Sequence, residues 1–362
     1  MKKNLLAIAV GAAVAMPVVA LADGPTVYGK VNVSLENSTD EVEALFDYLD
    51  GAAVPTIEEA NTAISDAEDV WALNSNASRL GVKGDFDLDV ANLKAIYQLE
   101  YEIAVDDGDA VFKQRNIFGG FKGAFGTLKA GMFDTPTKKA QGKIDQFNDI
   151  GGDIKNILSG ENRSKNIIQY STPALADIVT LNAAFIPAEG ADLDNDGKPE
   201  TGLADTLSVS LVAEKDLFFG AISHDSDMVD ELSVDETGNS TTIDITRVAV
   251  GLKPGNFEFG ALYQMAEETE SLPGVDKGEE TSVVLSGAMK IDRVKLKAQY
   301  GMTEGDVLKD ELTQWSLGAD YKLAKASKVY AYYSNLELAI DDAPGLDDPI
   351  ADTFGIGMEH KF

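Results

Sequence analysis

Residues 126–172 read GTLKAGMFDTPTKKAQGKIDQFNDIGGDIKNILSGENRSKNIIQYST. Stretches of strand character at 126–133 and 163–172 flank a long polar segment that carries glycine and shows no apolar periodicity. A compact domain seldom keeps so long a connection without structure of its own unless the connection has work to do. In its middle, Asp145 and Asp149 stand four residues apart, and Gly151-Gly152-Asp153 follows. The glycine pair lets the backbone turn where side chains would obstruct it. The expectation is a loop folded into the lumen of a β-barrel.

Length does not decide between two ordinary domains and one closed barrel for a chain of 362 residues. Cysteine is absent, which excludes disulfides, thiolate metal sites and a cysteine nucleophile. Residues 1–22 read as a cleaved secretory signal: Lys2 and Lys3, an apolar run from Leu5 to Met16, Pro17, then Ala20-Leu21-Ala22 before Asp23. The run is shorter than the ~20 residues of a spanning helix, and no later segment offers one. One domain, 23–362, is expected to leave the cytoplasm. Without the two leader lysines it holds 28 basic against 61 acidic residues, a charge of −33. Such a chain repels nucleic acid.

Val27, Gly29, Val31, Val33 and Leu35 alternate with Tyr28, Lys30, Asn32, Ser34 and Glu36, one apolar and one polar face. Fifteen further strands are expected near 77–86, 93–103, 112–122, 127–133, 163–172, 179–186, 206–213, 218–224, 242–253, 257–266, 281–291, 294–303, 312–323, 328–338 and 353–362. In the clearest, Lys295, Lys297 and Gln299 alternate with Val294, Leu296, Ala298 and Tyr300. An inward lysine pair suits a wet lumen and is intolerable in a dry core, which argues against a β-sandwich. Tight links such as 253–256 and 291–293 alternate with long polar ones such as 37–69. Outer-membrane barrels show that asymmetry, and an even sixteen strands close without an edge.

The ordered motifs Val27-Tyr28-Gly29-Lys30, Ser78-Arg79-Leu80-Gly81-Val82-Lys83-Gly84, Phe125-Gly126-Thr127-Leu128 and the terminal Phe362 make the whole chain resemble the general diffusion porins of Gram-negative outer membranes. The resemblance implies an all-β fold, a 16-stranded antiparallel transmembrane β-barrel with an inward-folded third loop, assembled as a homotrimer. It also implies that Phe354, Ile356, Met358 and Phe362 form the signal read by the barrel-assembly machinery, with His360 departing from its apolar form. For the pore constriction it implies a basic row of Lys30, Arg79, Arg115 and Arg163 facing loop carboxylates Asp145 and Asp149. Alternation independently turns Lys30 and Arg79 inward, whereas Ile117 and Phe121 blur it around Arg115. Asp134, Asp153, Lys138, Lys139 and Lys143 are alternatives for the same roles, and the bland reading of all of these is solvated lumen residues. Opposed charges about 9 Å apart would interact by ~0.5 kcal/mol in bulk-like water and ~2 kcal/mol at an effective dielectric of 20.

Seven outer links hold 41 of the 61 carboxylates, against only Lys198, Lys277 and Lys309. Solubility explains this, and so does a negative mouth that concentrates cations and binds lipopolysaccharide phosphates through divalent ions. Asp192, Asp194 and Asp196, followed by Gly197, match the start of a calcium loop, but Leu203 stands where an EF-hand needs Glu. A weak Ca²⁺ site and an ordinary acidic loop both fit; no other cofactor is expected.

The expected function is passive diffusion of ions and small hydrophilic solutes, with cation preference. The alternative is a substrate-selective porin for a sugar or another nutrient, for which Tyr330 and Tyr332 share a face without extending into an aromatic ladder. Only His224 and His360 exist, so a histidine-dependent hydrolase is poorly supported. An adhesin or purely structural barrel would conduct nothing.

Overall fold

A computed structural model describes residues 24–51, 55–90, 92–106, 112–193, 198–234, 240–269, 277–306 and 310–362. The expected signal, 1–22, lies outside them. The chain runs through β1 (Thr26–Asp40), β2 (Val70–Ser75 and Arg79–Asp87), β3 (Lys94–Ile103), β4 (Phe112–Gln114 and Ile117–Gly123), β5 (Gly126–Asp134) and β6 (Arg163–Ser171). It continues through β7 (Val179–Ile186), β8 (Thr206–Lys215), β9 (Phe218–Val234), β10 (Ser240–Leu252), β11 (Phe257–Glu268) and β12 (Glu279–Ile291). The last four are β13 (Val294–Gly305), β14 (Asp310–Ala324), β15 (Ser327–Ile340) and β16 (Ile350–Lys361). Every strand pairs antiparallel with the next, and β16 returns to β1 from Lys30↔Lys361 to Asp40↔Ala351. The result is a closed 16-stranded β-barrel, with no sheet edge left to satisfy.

Burial is inverted relative to a water-soluble protein. On β1, Asn32 and Ser34 are buried while Val31 and Leu35 are exposed; on β13, Lys297 and Gln299 are buried while Leu296 and Tyr300 are exposed. Only a wall with lipid outside and polar groups inside rewards that pattern. No helix among the described residues is long and apolar enough to cross a membrane.

Two strands are interrupted where the sequence suggests continuity or a loop. In β2 the break at 76–78 puts Ala77 at φ 48°, and the Ser78 hydroxyl bonds both the N–H and the carbonyl of Asn32 at 3.0 Å. In β4 the break at Arg115 and Asn116 shifts the face, which explains the blurred alternation there. The span 37–69 is not a plain loop. It carries α1 (Glu41–Gly51) and α2 (Ile57–Ser65), the latter capped by the Thr56 hydroxyl accepting from Glu59 N, and Leu45, Ala60 and Ile64 form a small core between them.

The connection after β5 passes through α3 (Pro136–Ala140) and a 3₁₀ turn (Ile154–Asn156). It lies against the inner faces of β8 to β15 and reaches β1. Ile144, Ile154, Ile157 and Leu158 pack on Ala221, Ala249, Leu262 and Val284, and Phe147 and Ile150 on Tyr330 and Tyr332. Each fully buried large apolar side chain is worth ~1.5–3 kcal/mol. The barrel's principal dry core is therefore the loop packed against its own wall.

Candidate channel constriction

Lys30 on β1 and Arg79 on β2 are register neighbours, and both side chains reach Asp149 in the loop: Lys30 Nζ at 2.6 Å and Arg79 Nη2 at 3.4 Å from Oδ2. The three groups are in contact, not opposed across a water gap as anticipated, because the loop tip comes right up to the wall. Asp149 adopts φ 67°, a left-handed conformation that Asp tolerates. Its N–H donates to Asp153 Oδ2 at 2.8 Å, and Asp153 Oδ1 accepts from Lys155 N at 3.0 Å, starting the 3₁₀ turn. Asp153 is thus a cap, not a pore group.

The glycine pair serves close approach. A Cβ on Gly152 would lie 2.4 Å from the Ser316 hydroxyl, and one on Gly151 3.0 Å from Tyr332 Oη, while neither residue has a positive φ. Burial raises the Asp149 carboxyl, but the adjacent Lys30 charge, helped by Arg79 and Arg115, holds it below the usual range.

The structure does not bring Asp145 to the basic row. It is turned into the loop's own interior, where one oxygen accepts from Phe147 N at 2.8 Å and the other has no partner among the described residues. Burial and then the charge of Asp153 push this carboxyl well above its usual range. The spacing of four that suggested two equivalent acids spans an irregular turn here, so the two side chains diverge.

Arg115 and Arg163 carry carboxylates of their own. Arg115 Nε is 3.3 Å from Glu100, and its Nη1 bonds Glu102. Arg163 Nη2 is 2.8 Å from Asp134, which also pairs with Lys139 at 2.6 Å. Lys138 instead caps the loop's end through the Glu161 carbonyl, at 2.5 Å.

Two holding residues escaped sequence reasoning about the constriction. Arg247 on β10 is wholly buried; it donates to Gln264 Oε1 at 2.8 Å, Glu161 Oε1 at 2.7 Å, Ser159 O at 3.0 Å and Thr137 O at 3.3 Å, clasping both ends of the loop. Alternation with Val248 and Val250 already turned it inward. Lys297 Nζ donates to Gln146 O at 2.9 Å and sits 4.3 Å above the Phe147 ring, so this lysine anchors the loop. Tyr330 and Tyr332 are committed likewise, to Asn32 at 2.7 Å and Glu36 at 2.6 Å. Of the calcium candidates, Asp194 and Asp196 lie outside the described residues, and among those described no cluster of three suitable ligands occurs.

A closed barrel with a lumenal segment latched by charged groups is the architecture of a channel. A family model for Gram-negative porins matches residues 7–339. The chain belongs to the Gram-negative porin family. Over the full length of both chains this porin is 24% identical to the major outer membrane protein P.IB of Neisseria sicca and 25% identical to that of Neisseria meningitidis serogroup B. Its fold is shared with a porin of Comamonas acidovorans described as anion-selective (TM-score 0.69, 17% identity, covering 94% of this chain and 100% of that one). OmpT of Vibrio cholerae shares it too (TM-score 0.67, 18% identity, 94% and 98% covered). This porin is accordingly an outer-membrane diffusion channel and not an enzyme.

Proposed function

We propose that this porin passes ions and small hydrophilic solutes passively, that it prefers cations, and that Asp149 is the acid that sets charge at its narrow section. The observation that carries the reading is the Asp149 carboxylate shared by Lys30 and Arg79 where the loop tip meets the wall. Two cations on adjacent strands are balanced by one carboxylate, so the local field depends on that single group. The acid-rich outer segments supply the remaining bias toward cations. A nutrient-selective pore is less well supported, because Tyr330 and Tyr332 are engaged by the loop and the wall.

A homotrimer is part of the proposal, supported by a trimer form of OmpT of Vibrio cholerae with the same fold (TM-score 0.63). So is contact of the outer acids with lipopolysaccharide through divalent ions.

The test is reversal potential across a salt gradient at low ionic strength. Asp149→Asn leaves Lys30 and Arg79 uncompensated and should shift selectivity away from cations, whereas Asp145→Asn should leave it unchanged. Arg79→Gln should shift it the other way. An unaltered reversal potential in Asp149→Asn would remove the loop tip from selectivity. Anion preference in the wild type, the property attached to the Comamonas porin, would reverse the proposed sign.

A further inference from the structure

The acids and bases that the constriction does not use are sorted along the barrel axis. At the rim with long connections, the seven outer segments carry 41 carboxylates against three lysines, and among the described ones Asp66, Glu68, Asp69, Glu304, Asp306 and Asp347 are exposed. At the opposite rim, the turns β12–β13 and β14–β15 enclose a cleft of about 430 Å³ lined by seven cationic and three acidic side chains. Lys290 and Lys295 share Glu258, Lys328 pairs with Asp320 at 2.9 Å, and Lys361 with Glu359 at 3.0 Å. Arg293, Lys322 and Lys325 are exposed and have no ion pair among the described residues, so this sector of the mouth keeps a net positive charge, while Asp89, Asp177 and Asp216 are exposed in the other short turns.

We infer that the channel rectifies, conducting better when the long-loop side is positive. The inference rests on the channel reading above. An acidic mouth admits cations and a basic mouth admits anions. With the long-loop side positive, cations enter through the acidic mouth while anions enter through the basic one. Both accumulate between the mouths, and conductance rises. Reversed polarity draws both species out and depletes the pore. The effect requires a screening length comparable with the lumen: about 10 Å at 0.1 M salt but about 3 Å at 1 M.

The measurement is single-channel current at equal positive and negative voltages, with the same salt on both sides. In dilute salt the current ratio should exceed one in the stated direction, and it should fall to one near 1 M. Reversing Arg293→Glu, Lys322→Glu and Lys325→Glu together should abolish or invert it. A second variant avoids dependence on assembly. Lys325→Cys would be the chain's sole cysteine. An anionic, membrane-impermeant thiol reagent, added to an already conducting channel, should lower the ratio, and faster from the short-turn side than through the pore from the other, which also fixes orientation. Equal currents at both polarities in dilute salt, or a ratio untouched by both variants, would overturn rectification while leaving the channel intact. No conductance at either polarity would overturn the channel reading and rectification with it.

Discussion

Arg247 shows what a single buried charge does in this lumen. A guanidinium cannot shed its proton, so its burial is tolerated only because Glu161, Gln264 and two loop carbonyls take its donors. Arg247→Met takes from the buried Glu161 carboxylate its closest cation, leaving Gln141 at 3.1 Å and Lys138 at 4.0 Å, and should cost about 3–5 kcal/mol of stability. The paired change Arg247→Met with Glu161→Gln should recover part of that loss. Thermal melting of the folded barrel in detergent checks both, and a double variant as unstable as the single one would deny the pairing. The loop acids add opposite pH dependences. Asp149 has a lowered folded pKa, so its contribution is present above its unfolded value near ~3.9 and lost as pH falls through the folded one. Asp145 has a raised folded pKa, so its contribution is present below the unfolded value and lost as pH rises through the folded one. Asp145→Asn should therefore remove the part of any loss in melting temperature that accompanies a rise in pH through the folded value of this carboxyl, checked by melting wild type and variant across a pH series.

At the scale of elements, the loop is held on three sides: at its ends by β10 and β11, along its apolar face by β9 to β12, and at its tip by β1 and β2. Its wall contacts use small or apolar lumenal residues such as Ala221, Ala249 and Val284, which interrupt the polar inner face because protein, not water, covers them. The outer connections follow different physics, with helices α1 and α2 carrying acids in their first turns where the helix dipole favours them. We propose that the segment holding Asp192, Asp194 and Asp196 binds Ca²⁺ weakly. Wild type should show a calcium-dependent gain in melting temperature or binding heat that the triple Asn variant lacks; equal responses in the two would dispose of the site.

For the whole molecule, the inverted burial predicts how it behaves outside a membrane. Protein lacking residues 1–22 should fold in detergent into a β-rich species that resists unheated denaturing electrophoresis and runs as a trimer. It should convert on boiling to a faster-migrating monomer band. A helix-dominated circular dichroism spectrum, or a monomer stable without detergent, would contradict the architecture. The outward faces of β1 and β13, with Val31, Leu35, Leu296 and Tyr300 exposed, leave no other way to shield apolar surface.

What was legible in the sequence by itself is what period-two alternation and link lengths encode: the strands, their number, which side of each faces water, and the presence of a long connection after β5. Lys30 and Arg79 were readable for that reason, since each sits in an unbroken alternating run. Local pattern says nothing of partners far along the chain. Asp145 and Asp149 look equivalent at a spacing of four, yet one is folded into the loop and the other latched to strands 119 and 70 residues away. The breaks in β2 and β4, the helices within 37–69, and the roles of Arg247 and Lys297 as loop anchors were likewise decided by tertiary structure. The physical reason is that the loop competes with water for the inner wall, and only the closed barrel determines which side chains it displaces and which charges it must neutralise.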